Sequence, residues 1–297
     1  MGGSKGVLMQ VLITGAGGTV GRFLTERMLL DGHRVTSLGR KPIENRPARF
    51  APFDLTDSEP QLPVADALIH CALHHEPGKF RGGEGQDPER FWRLNVEGTA
   101  SLFQAAKRSG CRSAVFLSSR AVYGDQRQGE ALLETDPPAP DTHYGKVKLA
   151  GEKHLEALCD TGFSGAALRA TGVYGMPPGM TRHKWTDLFE SFVSSAEIAP
   201  RCATEVHGED LASALSLVLK HLETARRFET FNVSDLVLDR AELLQMFSVA
   251  RGMDGSLPAK SVSLPGVMDT AKLRRLGWRP GGMAKLNSFL EACCAQS

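Results

Sequence analysis

The chain has 297 residues, 41% of them hydrophobic and 23% charged, with 31 glycines. That is enough apolar material to bury a full α/β core, in one large domain or two tightly packed ones, and it excludes a disordered or fibrous protein. Lys and Arg number 35 against 34 Asp and Glu, a net charge of +1, so no global field recruits nucleic acid or an anionic membrane and a small molecule is the expected partner.

Cysteines stand at 71, 111, 159, 202, 293 and 294 without a C-x-x-C pair; reduced thiols are expected and no metal site. No apolar run reaches the ~18 residues of a membrane span, and no charged-then-apolar leader precedes the first strand, so a cytoplasmic protein is expected. Residues 1–8 read as a tail or an expression remnant.

The apolar run Val7 to Thr14 predicts a strand. A glycine cluster follows, then Phe23, Leu24, Arg27, Met28 and Leu30 at helical spacing. Gly32 ends that helix and His33 to Leu38 predicts a second strand, which completes a β-α-β unit with parallel pairing. Strand-like runs recur at Ala67 to Cys71, Ala114 to Ser118, Gly165 to Arg169 and Thr230 to Val233, with helical stretches at Phe91 to Ser109 and Lys146 to Leu158 between them. The alternation predicts an α/β fold, a doubly wound parallel sheet. Three long Gly- and Pro-rich stretches follow strands, at His74 to Pro88, Asp125 to His143 and Tyr174 to Arg201. Ligands of open α/β sheets bind beyond the carboxyl ends of the strands, so substrate contacts are expected there. Near the C-terminus a helix at Ala241 to Ala250, a Pro-bounded Ser261 to Pro265 and a closing helix are assigned mainly to a small cap. The expected division is a dinucleotide-binding Rossmann domain over 9–173 and 206–235, with 174–205 and 236–297 as a small substrate-binding region.

Gly15, Gly18 and Gly21 fall at i, i+3 and i+6 between the first strand and helix. Gly15 suits the tight turn, Gly18 a close approach to a pyrophosphate, and Gly21 close packing of helix on strand. The helix N-terminus adds amide donors and partial positive charge. Gly17, Thr19 and Val20 complete this predicted cofactor-binding loop. At the end of the second strand, where an acidic residue would accept from the adenosine ribose of NAD, stand Gly39, Arg40 and Lys41. Those cations either pair with a 2′-phosphate, which favours NADP(H) over NAD(H), or are merely solvated. Asp54, where the next strand should end, either accepts from the adenine amino group or caps a helix.

Tyr144 and Lys148 lie one turn apart at the start of a predicted helix and project from one face. A cation beside a phenol favours the phenolate and makes tyrosine a usable acid or base. Ser119, just past the strand Ala114 to Leu117, can hydrogen-bond the same substrate oxygen.

These pieces together resemble the extended short-chain dehydrogenase/reductase family, which contains nucleotide-sugar epimerases, dehydratases and reductases. The resemblance is nearly full length. Its pieces include Thr14-Gly15-x-x-Gly18-x-x-Gly21, Asp54-Leu55, Ile69 to Ala72, Asn95 to Thr99, Ser118 to Gly124, Tyr144 with Lys148, Leu168-Arg169, Val173 to Gly175, Val206 to Ala212, Phe231 to Val233 and Leu276 to Trp278. It implies that Tyr144 donates or accepts the proton, that Lys148 also holds the nicotinamide ribose, and that Ser119, rather than Ser118, orients the substrate. Leu55 and Ala72 join the cofactor set, and Asn95 either supports the lysine through water or bonds within the core. The segment His207 to Leu211 is expected to be structural. Homodimers through two helices are common in the family.

The chain departs from the family's pattern on the substrate side. The stretch between Tyr174 and His207 is short for a sugar-nucleotide epimerase. Arg182, Lys184 and Arg201 are candidates to meet an anionic group of the substrate, although none falls cleanly on the family's diphosphate arginine position. His74, His75, Arg81, Arg120 and Arg169 are further candidate substrate contacts. No Asp-Glu pair follows Ser119, which disfavours dehydration. Net oxidation or reduction of a sugar-like hydroxyl or ketone is the expected reaction, with an epimerase holding NAD tightly, or a non-catalytic NAD(P)-sensing protein, as the alternatives.

Overall fold

A computed structural model of the protein describes residues 8–44, 46–76, 83–125, 129–225 and 227–295. Most of the N-terminal tail, and Arg81, lie outside the described residues.

The first strand, β1 (Gln10–Thr14), shows how the core is built. Successive side chains point to opposite faces of a strand. Val11 and Ile13 therefore enter one apolar cluster while Leu12 enters another, and all three are buried. A strand apolar on both faces belongs inside a parallel sheet covered by helices on both sides. The chain continues through α1 (Thr19–Leu30), β2 (Arg34–Gly39), β3 (Arg49–Pro52), β4 (Ala67–His70), α2 (Pro88–Arg108), β5 (Ser113–Ser119) and the short β6 (Ala131–Leu132). Then come α3 (His143–Leu158), β7 (Ser164–Ala170), β8 (Gly172–Tyr174), α4 (Thr186–Val193), β9 (Cys202–His207), α5 (Gly208–His221) and β10 (Phe228–Val233). The last elements are β11 (Leu236–Asp239), α6 (Arg240–Arg251), β12 (Val267–Met268), α7 (Ala271–Arg275) and α8 (Gly282–Ala295).

Seven strands form one sheet in the order β10-β7-β5-β4-β1-β2-β3, and every pairing in it is parallel. The expected doubly wound sheet is present, with β3 as an edge strand. Phe23, Leu24 and Met28 of α1 pack with Leu211, Leu215 and Val218 of α5 on one face. Leu102, Phe103 and Ala106 of α2 pack with Leu155 of α3 on the other. The register sets Thr14 beside both Leu38 and His70, and Ser119 beside Ala170. The carboxyl ends of the strands thus finish along one edge, where the glycine loop and Ser119 both lie.

Above that edge a three-stranded sheet, β11-β9-β8, carries α4, α6 and α8. Its core is aromatic: the Phe189 and Phe247 rings stack at 4.1 Å, and Tyr174 stacks on Trp185 at 5.0 Å. Ser261 to Pro265 forms no regular element. After it the chain returns to the main core, where Trp278 is fully buried and its indole donates to Asp210 O at 2.8 Å. The Asp210 carboxylate accepts from Gly281 N and Lys285 Nζ, both at 3.0 Å. His207 caps α5 by accepting from Glu209 N at 3.2 Å. These residues tie the C-terminal segment to the sheet.

A side chain at Gly21 cannot be accommodated without moving backbone, because its Cβ would stand 2.1 Å from Gly15 O. Gly21→Ala should lower stability by about 2 kcal/mol, the scale of overpacking in a dense core. Urea unfolding checks this, and a midpoint equal to that of the parent chain would contradict it.

Candidate active site

Gly15 sits at φ +65°, and a Cβ there would lie 2.7 Å from Ala72 N. Only glycine permits both the left-handed backbone and the contact with the end of β4. Gly18 N donates to Gly15 O at 2.9 Å and closes the turn. Gly18 is also the N-cap of α1, which has no side-chain cap. On the outer side of the loop, a Cβ at Gly17 would meet nothing within 4 Å. An uncapped helix start behind an open glycine surface fits a pyrophosphate, with the amides of Thr19, Val20 and their neighbours as donors.

Beneath the loop, Thr14 Oγ1 accepts from Cys71 N at 3.2 Å and Ala72 N at 3.3 Å, and lies 2.6 Å from His70 Nδ1. With two amides donating to it, the hydroxyl gives its own proton to Nδ1, which leaves Nε2–H to donate to Thr99 Oγ1 at 2.9 Å. Burial holds the imidazole of His70 down to about 3, with Lys148 acting in the same direction, so the ring is neutral.

Arg40 is exposed at the end of β2. Asp54 Oδ1 accepts from Thr56 N at 2.9 Å and Thr56 Oγ1 at 2.8 Å. The Thr56 amide holds the carboxyl below its ordinary value, with Arg40 and His74 adding to the effect. Asp54 therefore closes a local turn, within the electrostatic reach of Arg40. Leu55 O approaches α2 where Gly98 has no side chain. Asn95, buried on α2, accepts from His74 N at 2.7 Å and donates to His74 O and Phe91 O, each at 2.8 Å. Its direct hydrogen bonds fix the chain after β4.

The catalytic candidates converge through α3. Thr142 caps this helix by accepting from Gly145 N at 3.0 Å, which places Tyr144 in the first turn. Gly145 allows that turn to press on the strand end after β5: its Cβ would stand 2.4 Å from Ala121 O. Ala121 in turn donates its amide to Ser119 Oγ at 3.1 Å. One turn below Tyr144, the ammonium of Lys148 is buried, donates to Leu117 O at 2.7 Å, and lies 4.8 Å and 5.7 Å from the Phe116 and Tyr144 ring centres. Burial pushes its pKa down to about 8, against the opposing influence of Cys71 and Glu152. A cation, a phenol and a hydroxyl at one strand end can exchange a proton with a substrate oxygen.

A further turn along the same helix face, the sequence reading missed Glu152. It is buried and forms a two-point pair with Arg169, Nη2 to Oε2 at 2.7 Å and Nε to Oε1 at 3.1 Å. Ser118 Oγ donates to the same carboxylate. Arg169 Nη1 donates to Tyr123 OH at 2.9 Å, and that hydroxyl donates to Asn232 Oδ1 at 2.8 Å. Arg169 was expected on the substrate side; the structure gives it to this buried network, because its strand position points it at α3.

The other expected substrate cations have partners of their own or stand exposed. Arg120 donates to Gly266 O at 3.0 Å and pairs with Asp125 at 2.9 Å. Arg182 pairs with Asp187 and Glu190 on α4. Lys184 pairs with buried Glu205, and Arg201 is exposed at the start of β9. His74 is half-buried and His75 Nδ1 lies 2.6 Å from Glu76 O.

Comparison with known proteins adds the following. The family described as "NAD dependent epimerase/dehydratase family" matches residues 11–234. The chain is 31% identical over 204 residues to dTDP-6-deoxy-L-talose 4-dehydrogenase (NAD(P)(+)) of Kitasatospora kifunensis, covering 65% of this chain and 61% of that protein, less than two thirds of its length. It is 27% identical to UDP-glucose 4-epimerase of Lacticaseibacillus casei, with 92% of each chain covered. A crystal structure of UDP-galactose 4-epimerase shares the fold, with a TM-score of 0.79, 21% identity, and 97% of this chain and 99% of that one covered.

Glu152→Ala would leave the Arg169 guanidinium buried without its carboxylate. It should cost about 3–5 kcal/mol, while Glu152→Gln combined with Arg169→Met should recover most of that loss. Chemical denaturation of the two variants is the check; equal stability for both would contradict the reading.

Proposed function

The chain belongs to the NAD dependent epimerase/dehydratase family, and from that premise we propose that it is an NAD(P)-dependent oxidoreductase acting on a hydroxyl or ketone of a sugar-like or nucleotide-sugar substrate. The observation that carries the reading is the first turn of α3, which holds Tyr144 above a buried Lys148 while Gly145 presses the same turn against the residues following Ser119. The nicotinamide, when bound on the glycine loop, supplies the carbon that takes or returns hydride. The chain's own residues handle the proton. In the oxidising direction the Tyr144 phenolate takes the proton of the substrate hydroxyl as the carbon loses hydride; in the reducing direction the phenol gives it back. The Lys148 ammonium favours the phenolate, and Ser119 donates to the same substrate oxygen.

Epimerisation uses the same three residues, with the hydride returned to the opposite face of the ketone. The match to UDP-glucose 4-epimerase over 92% of both chains supports that second reading. A nucleotide-sugar substrate is supported by the names of both relatives.

Wild-type protein assayed on UDP- and dTDP-hexoses should turn over at least one of them, and Tyr144→Phe should lower kcat about a hundred- to ten-thousand-fold with dinucleotide affinity retained. In the free enzyme Lys148 loses its proton as pH rises through about 8, so kcat/KM should fall on the alkaline side of that value. Tight dinucleotide binding with no turnover by the wild type would replace the enzyme reading with a sensing role.

For the cofactor we propose a preference for NADP(H), with NAD(H) also accepted. Exposed Arg40 stands where a carboxylate would receive the ribose of NAD. Arg40→Ala should weaken NADPH binding about tenfold, the scale of a lost charge-assisted hydrogen bond, and leave NADH unchanged. Fluorescence titration of both cofactors decides this; equal affinities in the wild type, unmoved by the substitution, would refute the preference.

A further inference from the structure

Arg22 follows Gly21 on the first turn of α1, and its guanidinium reaches in two directions. Nε donates to Gly17 O at 3.0 Å, on the tip of the glycine loop. Nη1 donates to Pro178 O at 3.0 Å, across a long interval of sequence. Pro178 lies in a turn closed by Met180 N donating to Pro177 O at 3.0 Å. Gly179 in that turn has φ +73°, and a Cβ on it would lie 3.2 Å from Arg22 Nη1. The left-handed glycine makes the turn and leaves the guanidinium its space. Downstream, the same segment delivers Trp185 into the aromatic core of the cap, stacked on Tyr174. One side chain thus spans the loop that fits a pyrophosphate and the segment that leads into the substrate-binding region.

We propose that Arg22 is a positioning residue that makes the order of residues 175–185 depend on the bound dinucleotide. The proposal rests on the cofactor reading of the glycine loop. A guanidinium is planar and permanently charged, so fixing one of its nitrogens fixes the direction of the others. Gly17 O fixes Nε, and the conformation of the glycine loop therefore sets where Nη1 points. A pyrophosphate on the α1 amides holds that loop in one conformation and brings negative charge close to a cation. Both effects hold the donor that Pro178 O accepts. The loop tip at Gly17 is exposed, so a ligand that covers it shields these groups from competition by water. Ligand binding at one end is thereby felt at the other through this two-ended contact.

Hydrogen exchange read by mass spectrometry on the full chain, with and without saturating NAD+ or NADP+, tests this. The cofactor should slow exchange in 15–22 and, about tenfold, in 175–185. In Arg22→Met the slowing should persist in 15–22 and vanish in 175–185. Arg22→Lys keeps the charge without the fork and should behave like Arg22→Met. Gly179→Ala crowds the clasp from the far side, outside the cofactor loop, and should uncouple 175–185 in the same way. Binding is measured on the same samples by tryptophan fluorescence. Wild-type slowing in the variants, or a wild-type segment that ignores bound cofactor, overturns the proposal alone. Failure of the wild type to bind either dinucleotide overturns the cofactor reading and this coupling together.

Discussion

Lys148 carries its ammonium group into a space where 3% of the residue meets solvent, and the arrangement of the sheet edge follows from satisfying it. A buried cation is tolerated only with close acceptors and opposite charge nearby. Leu117 O supplies the acceptor from β5, and the Phe116 ring supplies a π face. Glu152, one turn further along α3, supplies a carboxylate whose own charge is balanced by Arg169 on β7. These demands pull α3 onto β5 and β7 in one rotation about the helix axis. That rotation is the one that also brings Tyr144 to the end of β5. The desolvation that brings the lysine to about 8 is the stability cost of placing a cation beneath a phenol, and the buried Glu152–Arg169 pair is part of what contains it.

At the cofactor end the opposite principle holds, and a buried titratable group is kept neutral. His70 sits between two threonine hydroxyls with no carboxylate beside it, so burial leaves its imidazole uncharged through the working range. Its task is to orient Thr14, which gathers the amides of Cys71 and Ala72 and fixes the ends of β1 and β4 relative to each other. The field at the glycine loop then comes from the start of α1 and does not vary with a nearby imidazole.

The parts legible in the sequence are those encoded locally. The unbroken apolar run Val11 to Ile13, the left-handed requirement at Gly15 and the helical spacing of Tyr144 and Lys148 each state their structure within a few residues. Glu152 stands at the next position in that same spacing, and its being one turn past Lys148 on a buried helix face was the signal that could have revealed it. Arg169 illustrates the limit. An arginine at the end of a strand near the substrate edge reads as a ligand-binding cation, and only the approach of α3 shows that its partner is Glu152. Arg22 is similar, since Pro178 reaches it through tertiary folding alone. The strands β8, β9 and β11 are not legible in the sequence, because such short segments carry too few alternations to register as a period.

The cap is folded on a core of its own. Its stability comes from stacked rings, Phe189 on Phe247 and Tyr174 on Trp185, packed with Phe289. Two of its cations are engaged by acids, Arg182 by Asp187 and Glu190, Lys184 by Glu205. Such pairs can be exchanged between related chains while the rings keep the cap folded. Tyr144 and Lys148, by contrast, belong to α3 and Ser119 to β5, in the main sheet and its helical layer. In the proposed reading, hydride chemistry rests on the core of the main sheet and substrate choice on that of the cap. The Arg22 contact with Pro178 crosses that boundary.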